Sequence, residues 1–188
     1  MEIVLGSASP RRRDLIEKSF VNKITWMVAD IDESYPDNIP VNQVAEYIAN
    51  NKAIALLETQ FLDNKLLITA DTIVVSKNKI LGKPTDHNEA KEFLKRLSGS
   101  KHVVITGISL AYQGKIHSFS EQTSVYFGEL SDDEINYYVE SFKPLDKAGA
   151  YGIQEYIGYV GIRKIDGCFY NVMGMPIYRL KQELKTIL

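Results

Sequence analysis

Three consecutive arginines, Arg11, Arg12 and Arg13, follow a short apolar run and the small-residue turn Gly6-Ser7-Ala8-Ser9-Pro10. In the first turn of a helix, where the backbone dipole is already positive, three cations are unfavourable until an anion arrives. Backbone N–H donors, the Ser7 and Ser9 hydroxyls and forked guanidinium groups would together make a phosphate cradle. The competing reading is a solvated basic turn, and on these residues alone the two are evenly matched. Asp71 is the second candidate. It interrupts a run of branched apolar residues, where an ionised carboxylate costs several kcal/mol unless a metal, a cation or hydrogen bonds compensate it. The alternative places it at the end of a shorter strand, accepting backbone N–H bonds in a turn.

Glu33 could supply a second carboxylate, since magnesium commonly takes one or two from the protein and completes its shell with phosphate oxygens and water. Taken alone, Glu33 reads more simply as surface charge. Lys52 falls on an otherwise apolar helical stripe and could merely extend its head to water. Lys83 stands on a stiff loop between Gly82 and Pro84. Individually these lysines say little. Together with the arginines and two carboxylates they form the inventory of phosphoryl chemistry, which depends on positioning and charge stabilisation. His87, His102 and His117 show no metal-ligand spacing and no Ser or Cys partner, so they read as structural.

Elements of an α/β chain would carry these groups. Residues 3–5 read as a buried strand, and Pro10 suits the first position of a helix over 11–20 with Ser9 as its cap. A second strand is expected over 26–31, with Asp32-Glu33-Ser34 at its exit. Val44, Ala45, Ile48, Ala49 and Leu56 make one stripe of a helix over 41–58, and Lys52 lies in it. The nearly continuous apolar run 66–75, broken by Thr69-Ala70-Asp71-Thr72, reads as a central strand. Asp86 with Glu89, and Ser131 with Glu134, are capping signals for two further helices. Strands over 103–112 and 116–127 should form a hairpin turned at Gln113-Gly114, and Asp166-Gly167 should turn a second. The glycine-rich stretch 146–154 reads as a functional loop, and a last amphipathic helix begins at Pro176.

The 188 residues suit a single domain, 1–188, or one domain folded as two lobes. The 22 basic and 24 acidic side chains nearly cancel, which argues against a general nucleic-acid binder. A single cysteine, Cys168, excludes an internal disulfide and a thiolate zinc site. No segment has the roughly 20 apolar residues of a membrane span, and no basic, apolar leader opens the chain, so a cytoplasmic setting is expected.

Across essentially its whole length the sequence resembles the Maf nucleoside triphosphate pyrophosphatases. The matching blocks are Ser7-Ala8-Ser9-Pro10-Arg11-Arg12, Ala70-Asp71-Thr72, Gly82-Lys83-Pro84, Leu97-Ser98-Gly99, Thr106-Gly107, the run from Asp146 to Gln154, and Asn171-Val172-Met173-Gly174-Met175-Pro176. The resemblance implies an elongated mixed β-sheet flanked by helices, with two lobes around a central cleft, similar to the inosine-triphosphate pyrophosphatases. It also implies attack of water on the α-phosphorus of a nucleoside triphosphate, with release of pyrophosphate, and a divalent cation, magnesium or manganese, as cofactor. Under it Asp71 is the proton acceptor and a metal ligand, Glu33 a further ligand, Lys52, Lys83 and Arg12 (or Arg13 in its place) bind phosphates, and Ser7 and Ser9 line the cradle.

Arg11, Thr72 and Gln154 match the positions that separate substrate classes in that family. On them the chain resembles the dTTP and UTP branch, with modified pyrimidine nucleotides left open as further substrates. An amide such as Gln154 both donates to and accepts from a pyrimidine edge, whereas an aromatic residue in place of Arg11 would favour a large cationic purine. Glu155-Tyr156 departs from the family pattern, in which a glycine is expected after Gln154, and this leaves the shape of the base pocket open. A homodimer and a part in septum formation or cell-division arrest also travel with the resemblance. The rival readings are a pyrophosphatase for 7-methyl-GTP or another purine triphosphate, and a non-catalytic regulator of cell division.

Overall fold

The computed structural model describes residues 1–187 except 30, 61 and 63. Seven strands and seven α-helices follow along the described chain. They are β1 (Glu2–Gly6), α1 (Pro10–Ser19), β2 (Ile24–Met27), α2 (Val44–Thr59), β3 (Lys65–Ser76), β4 (Lys79–Leu81), α3 (His87–Leu97), β5 (Lys101–Tyr112), β6 (Lys115–Phe127), α4 (Asp132–Phe142), α5 (Tyr156–Gly161), β7 (Ile162–Asp166), α6 (Phe169–Val172) and α7 (Ile177–Ile187). The strands form one mixed sheet in the order β2-β1-β3-β5-β6-β7, with β4 paired to β3. The chain is thus a mixed α/β protein with a seven-stranded sheet flanked by helices.

Two compact units share it. The first comprises Met1–Thr72, Thr106–Glu121 and Gly174–Leu188, and the second Ile73–Ile105 and Gln122–Met173. In the first, β1 runs parallel to both β2 and β3, with Leu5 opposite Trp26 and Ile68, and Gly6 opposite Thr69. The chain leaves β1 through α1 to β2 on one side, then returns through α2 to β3 on the other. The order therefore reverses at β1, and such a switch point, at the carboxyl ends of parallel strands, is where open α/β sheets bind ligands. The register also brings the Ser7 turn level with Ala70 and Asp71.

In the second unit α3 and α4 pack on each other and on α5, burying Leu94, Leu97, Ile135, Tyr138, Val139 and Ile157. The expected capping box at Ser131 and Glu134 is present. At α3, Asp86 accepts from the Asn88 and Glu89 N–H groups, while Glu89 reaches back to the N–H of Thr85 rather than of Asp86.

Three expectations from the sequence need correction. The second strand is Ile24–Met27 rather than 26–31, and residue 30 of that range lies outside the described residues. Asp166-Gly167 does not turn a hairpin. β7 pairs antiparallel with β6, and beyond it Thr123 exchanges hydrogen bonds with the Cys168 backbone, at 3.0 Å and 3.2 Å, which directs the chain into α6. The helix α5 was not expected, because Tyr-Ile-Gly-Tyr-Val-Gly has poor helix propensity; its N-terminal N–H groups, on Gly158 and Tyr159, bond to the Glu155 carbonyl.

His102 of β5 is 1% exposed, with Nε2 2.7 Å from the Tyr151 hydroxyl and its ring edge-on to Phe127. It is structural, as its sequence setting indicated, and burial pulls its pKa from 6.5 to about 4. Between those values the unfolded chain takes up a proton that the folded one refuses, so stability falls as pH falls. At about 1.36 kcal/mol per pKa unit the loss is about 3 kcal/mol across the window. Urea unfolding followed from pH 7 to pH 4 should show this slope, and His102→Gln should flatten it. An unchanged slope in the variant would assign the acid sensitivity to other groups.

Candidate active site

Asp71 lies in the middle of β3, not at the end of a shorter strand, and is 8% exposed. Thr69 and Asp71, two residues apart on a strand, face the same side of the sheet. There they meet α2, on which Ala49 and Lys52, three residues apart, also share a face. The Thr69 hydroxyl donates to the Ala49 carbonyl at 2.6 Å, and one helical turn further on the Lys52 Nζ lies 2.8 Å from Asp71 Oδ1. Lys52 does not extend into water; it is 8% exposed and also contacts Glu33 Oε1 at 2.6 Å. One ammonium therefore gathers both candidate carboxylates.

Arg12 approaches Asp71 from the other flank. Its Nε donates to the Gly174 carbonyl at 2.9 Å, Nη1 to the Ala70 carbonyl at 2.8 Å and to Ser7 Oγ at 3.3 Å, and Nη2 to Thr72 Oγ1 at 2.8 Å. Four of the five guanidinium hydrogens thus go to protein acceptors, and two of those acceptors belong to the residues on either side of Asp71. Thr72 is held in turn by Thr106 Oγ1 at 3.0 Å. Burial lowers the Arg12 pKa and Arg11 adds to the effect, while Asp71 and Glu33 oppose it. The Arg13 guanidinium instead lies over the Trp26 ring, 5.5 Å from its centroid.

Ser7 is buried, and its hydroxyl accepts from the Ser9 N–H at 3.2 Å as well as from Arg12. Ser9 occupies the N-cap position of α1, but its side chain makes no capping bond. Asp71, Glu33, Lys52, Arg12, Arg11, Ser7, Ser9 and Thr72 all belong to the first unit; Lys83 and Gln154 belong to the second. Within the second unit the Gly149 N–H bonds to the Gly82 carbonyl at 3.0 Å, which joins the Lys83 loop to the segment that ends in Gln154.

Asp71 and Glu33 are of the type that would hold a magnesium- or manganese-type cation, because two carboxylates converge on one point beside Lys52. Among the described residues no group of three or more His, Cys, Asp or Glu side chains could hold a metal. A cation here would therefore complete its shell with substrate oxygens and water. The charges of Asp71, Glu33, Lys52 and Arg12 cancel, so these four groups alone do not neutralise an incoming polyphosphate.

The sequence profile described as "Maf-like protein" matches residues 2–187. The chain belongs to the Maf family. Among its relatives, the dTTP/UTP pyrophosphatase of Parabacteroides distasonis is 49% identical over 98% of this chain and 95% of its own length. Those of Phocaeicola vulgatus, at 46% over 99% and 96%, and Cytophaga hutchinsonii, at 45% over 99% and 84%, carry the same name. A solved nucleoside-triphosphatase / dITP/XTP pyrophosphatase from Mycobacterium abscessus aligns with 69% of this chain and 76% of its own, at 10% identity and a TM-score of 0.42.

Two further residues of this Maf chain, Thr106 and Gly174, help to build the site. Thr106 is a polar residue inside an apolar strand run, the same signal that exposed Asp71. Gly174 has a φ of +98°, and a Cβ there would lie 3.2 Å from Thr72 Oγ1 and 3.3 Å from Arg12 Nε. Glycine is needed for the backbone to offer its carbonyl to Arg12.

Arg12→Lys keeps the positive charge but cannot fork, so the Ala70 and Gly174 carbonyls lose their donors. Leaving such acceptors unpaired costs about 1–3 kcal/mol. The urea midpoint of Arg12→Lys should therefore fall by an equivalent amount in ligand-free protein. An unchanged midpoint would mean that Arg12 matters only to a ligand.

Proposed function

We propose that this Maf protein hydrolyses dTTP and UTP to the nucleoside monophosphate and pyrophosphate. The observation that carries the reading is the buried Lys52 ammonium shared by Asp71 and Glu33, set beside the Ser7 turn and the Arg12 guanidinium. The names of relatives at 45–49% identity support the substrate class.

Asp71 would accept a proton from the attacking water. The water oxygen bonds to the α-phosphorus as the bond from the α-phosphorus to the bridging oxygen breaks, and that oxygen leaves on pyrophosphate. Lys52 orients Asp71 through its 2.8 Å contact with Oδ1, and together with Arg11 and the backbone at the start of α1 offers positive charge to the phosphates. A divalent cation held by Glu33 and Asp71 would add charge stabilisation at the α-phosphate. Arg12 acts chiefly by fixing the backbone and hydroxyl around Asp71, with one remaining N–H for a phosphate oxygen. Lys83, an ammonium on a stiff loop, is assigned to phosphate and Gln154 to the base edge on their chemistry and the family resemblance, and Ser9 to the cradle.

Conversion of triphosphate to monophosphate would cleanse the nucleotide pool, and a cytoplasmic setting is part of the same proposal. Homodimeric association and a link to septum formation complete the proposal; sedimentation of the purified chain tests the first.

Incubation of the protein with each triphosphate and magnesium or manganese should yield monophosphate and pyrophosphate, fastest from dTTP and UTP. Stepwise release of inorganic phosphate, or faster turnover of purines, would overturn the assignment. Asp71→Asn should lower kcat by roughly 10²–10⁴-fold, the usual contribution of a positioned proton acceptor. Near-normal turnover would remove Asp71 from that role. Arg11→Trp should slow pyrimidine turnover relative to purine, and unchanged relative rates would show that the position does not choose the base.

A further inference from the structure

Four side chains of the second unit, none of them used in the chemistry above, form a largely buried polar chain. Tyr138 of α4 is fully buried; its hydroxyl donates to Glu155 Oε2 and accepts the Gly152 N–H at 3.0 Å. The other carboxylate oxygen, Oε1, lies 3.2 Å from the Nζ of Lys147, itself 8% exposed and paired with Asp146 at 2.7 Å. The Glu155 N–H bonds back to the Gly152 carbonyl at 3.0 Å. One glutamate thus ties the beginning, the middle and the end of the glycine-rich segment to α4. Burial, reinforced by Glu155, holds the Tyr138 hydroxyl well above its usual pKa, so it stays a donor.

The fit around this carboxylate is close. A Cβ on Gly152 would stand 2.6 Å from the Glu155 carboxyl carbon, so only glycine leaves it room. Gln154, caught between the two, has its carbonyl fixed by the Tyr159 hydroxyl at 2.6 Å. Its side-chain Oε1 is buried and receives no hydrogen bond. An unpaired buried acceptor is costly, and a donor brought by a ligand would relieve that cost once the side chain turned toward it.

We infer that Glu155 is a specificity-positioning residue, which holds the Gln154 amide so that Oε1 accepts the ring N3–H of a uracil or thymine base. This rests on the reading of Gln154 given above and adds to it the group that aims the amide. Cytosine has no hydrogen at N3, so its edge would leave Oε1 unpaired, and sites built to hydrogen-bond a substrate group reject analogues that lack it.

The test is the ratio of kcat/KM for UTP to that for CTP in the full chain with magnesium. The unaltered protein should favour UTP, and Glu155→Ala should reduce the ratio about tenfold, mainly through KM for UTP, with kcat within about twofold. Glu155→Gln, which keeps an acceptor for Tyr138 but loses the charge facing Lys147, should fall between the two. Tyr138→Phe should shift the ratio in the same direction, and these two variants decide the matter if Glu155→Ala does not fold. A merely structural role would lower the melting temperature and leave the ratio unchanged, which would overturn the inference. Gln154→Ala separates the levels. If it collapses the ratio while the Glu155 and Tyr138 variants do not, Gln154 reads the base without Glu155. If it leaves the ratio unchanged, or the unaltered protein does not distinguish UTP from CTP, the base-reading role itself falls.

Discussion

A lysine ammonium removed from water sets the terms for the first unit. Lys52 sits within the apolar stripe of α2, where its desolvation costs several kcal/mol unless anions stand within hydrogen-bonding distance. Asp71 and Glu33 meet that need, and each carboxylate is stabilised by the same contact. The arrangement demands a definite register between helix and strand, which the Thr69 to Ala49 hydrogen bond sets one turn earlier. A slip of one residue along β3 would turn Asp71 to the opposite face and leave Lys52 buried opposite Ala70 or Thr72, neither of which carries a charge.

Arg12 has the complementary task. Its guanidinium joins the turn after β1, the two neighbours of Asp71 on β3, and the Gly174 carbonyl ahead of α7. Elements far apart in the chain are thereby fastened to one planar group whose donors diverge in fixed directions, a function that a lysine could not reproduce. The parallel pairing of β1 with β3 makes this reachable, because it brings both strands to a common carboxyl end. One arginine of the cluster at the start of α1 is thus the frame that holds the acidic strand.

In the second unit the same economy of buried charge appears around Glu155. There a carboxylate supports a loop instead of a catalytic group, with Tyr138 and Lys147 as its partners. His102, buried and neutral against Tyr151, supports the same segment from β5. The glycines allow the backbone to fold closely over these groups, and the polar contacts keep it from moving. This combination suits a segment that must present one amide in one orientation.

Residue type and spacing were enough to mark the central strand carrying Asp71 and the helical stripe carrying Lys52, while the motif blocks carried the family resemblance, which implied the mixed α/β class. These features repeat with the period of their own element, or stand out as a charge among apolar neighbours, and so need no knowledge of distant partners. Local pattern failed where distant partners decided the outcome: β7 pairs with β6, and α5 forms from a glycine-rich hexapeptide hung on Glu155. Only the tertiary structure could give Arg12 and Arg13 their different neighbours, give Thr106 and Gly174 a task, and turn Glu155 from an odd departure into a support. Each of those assignments depends on which group stands opposite across tens of residues of chain, and that is decided by strand register and helix docking, not by any sequence window.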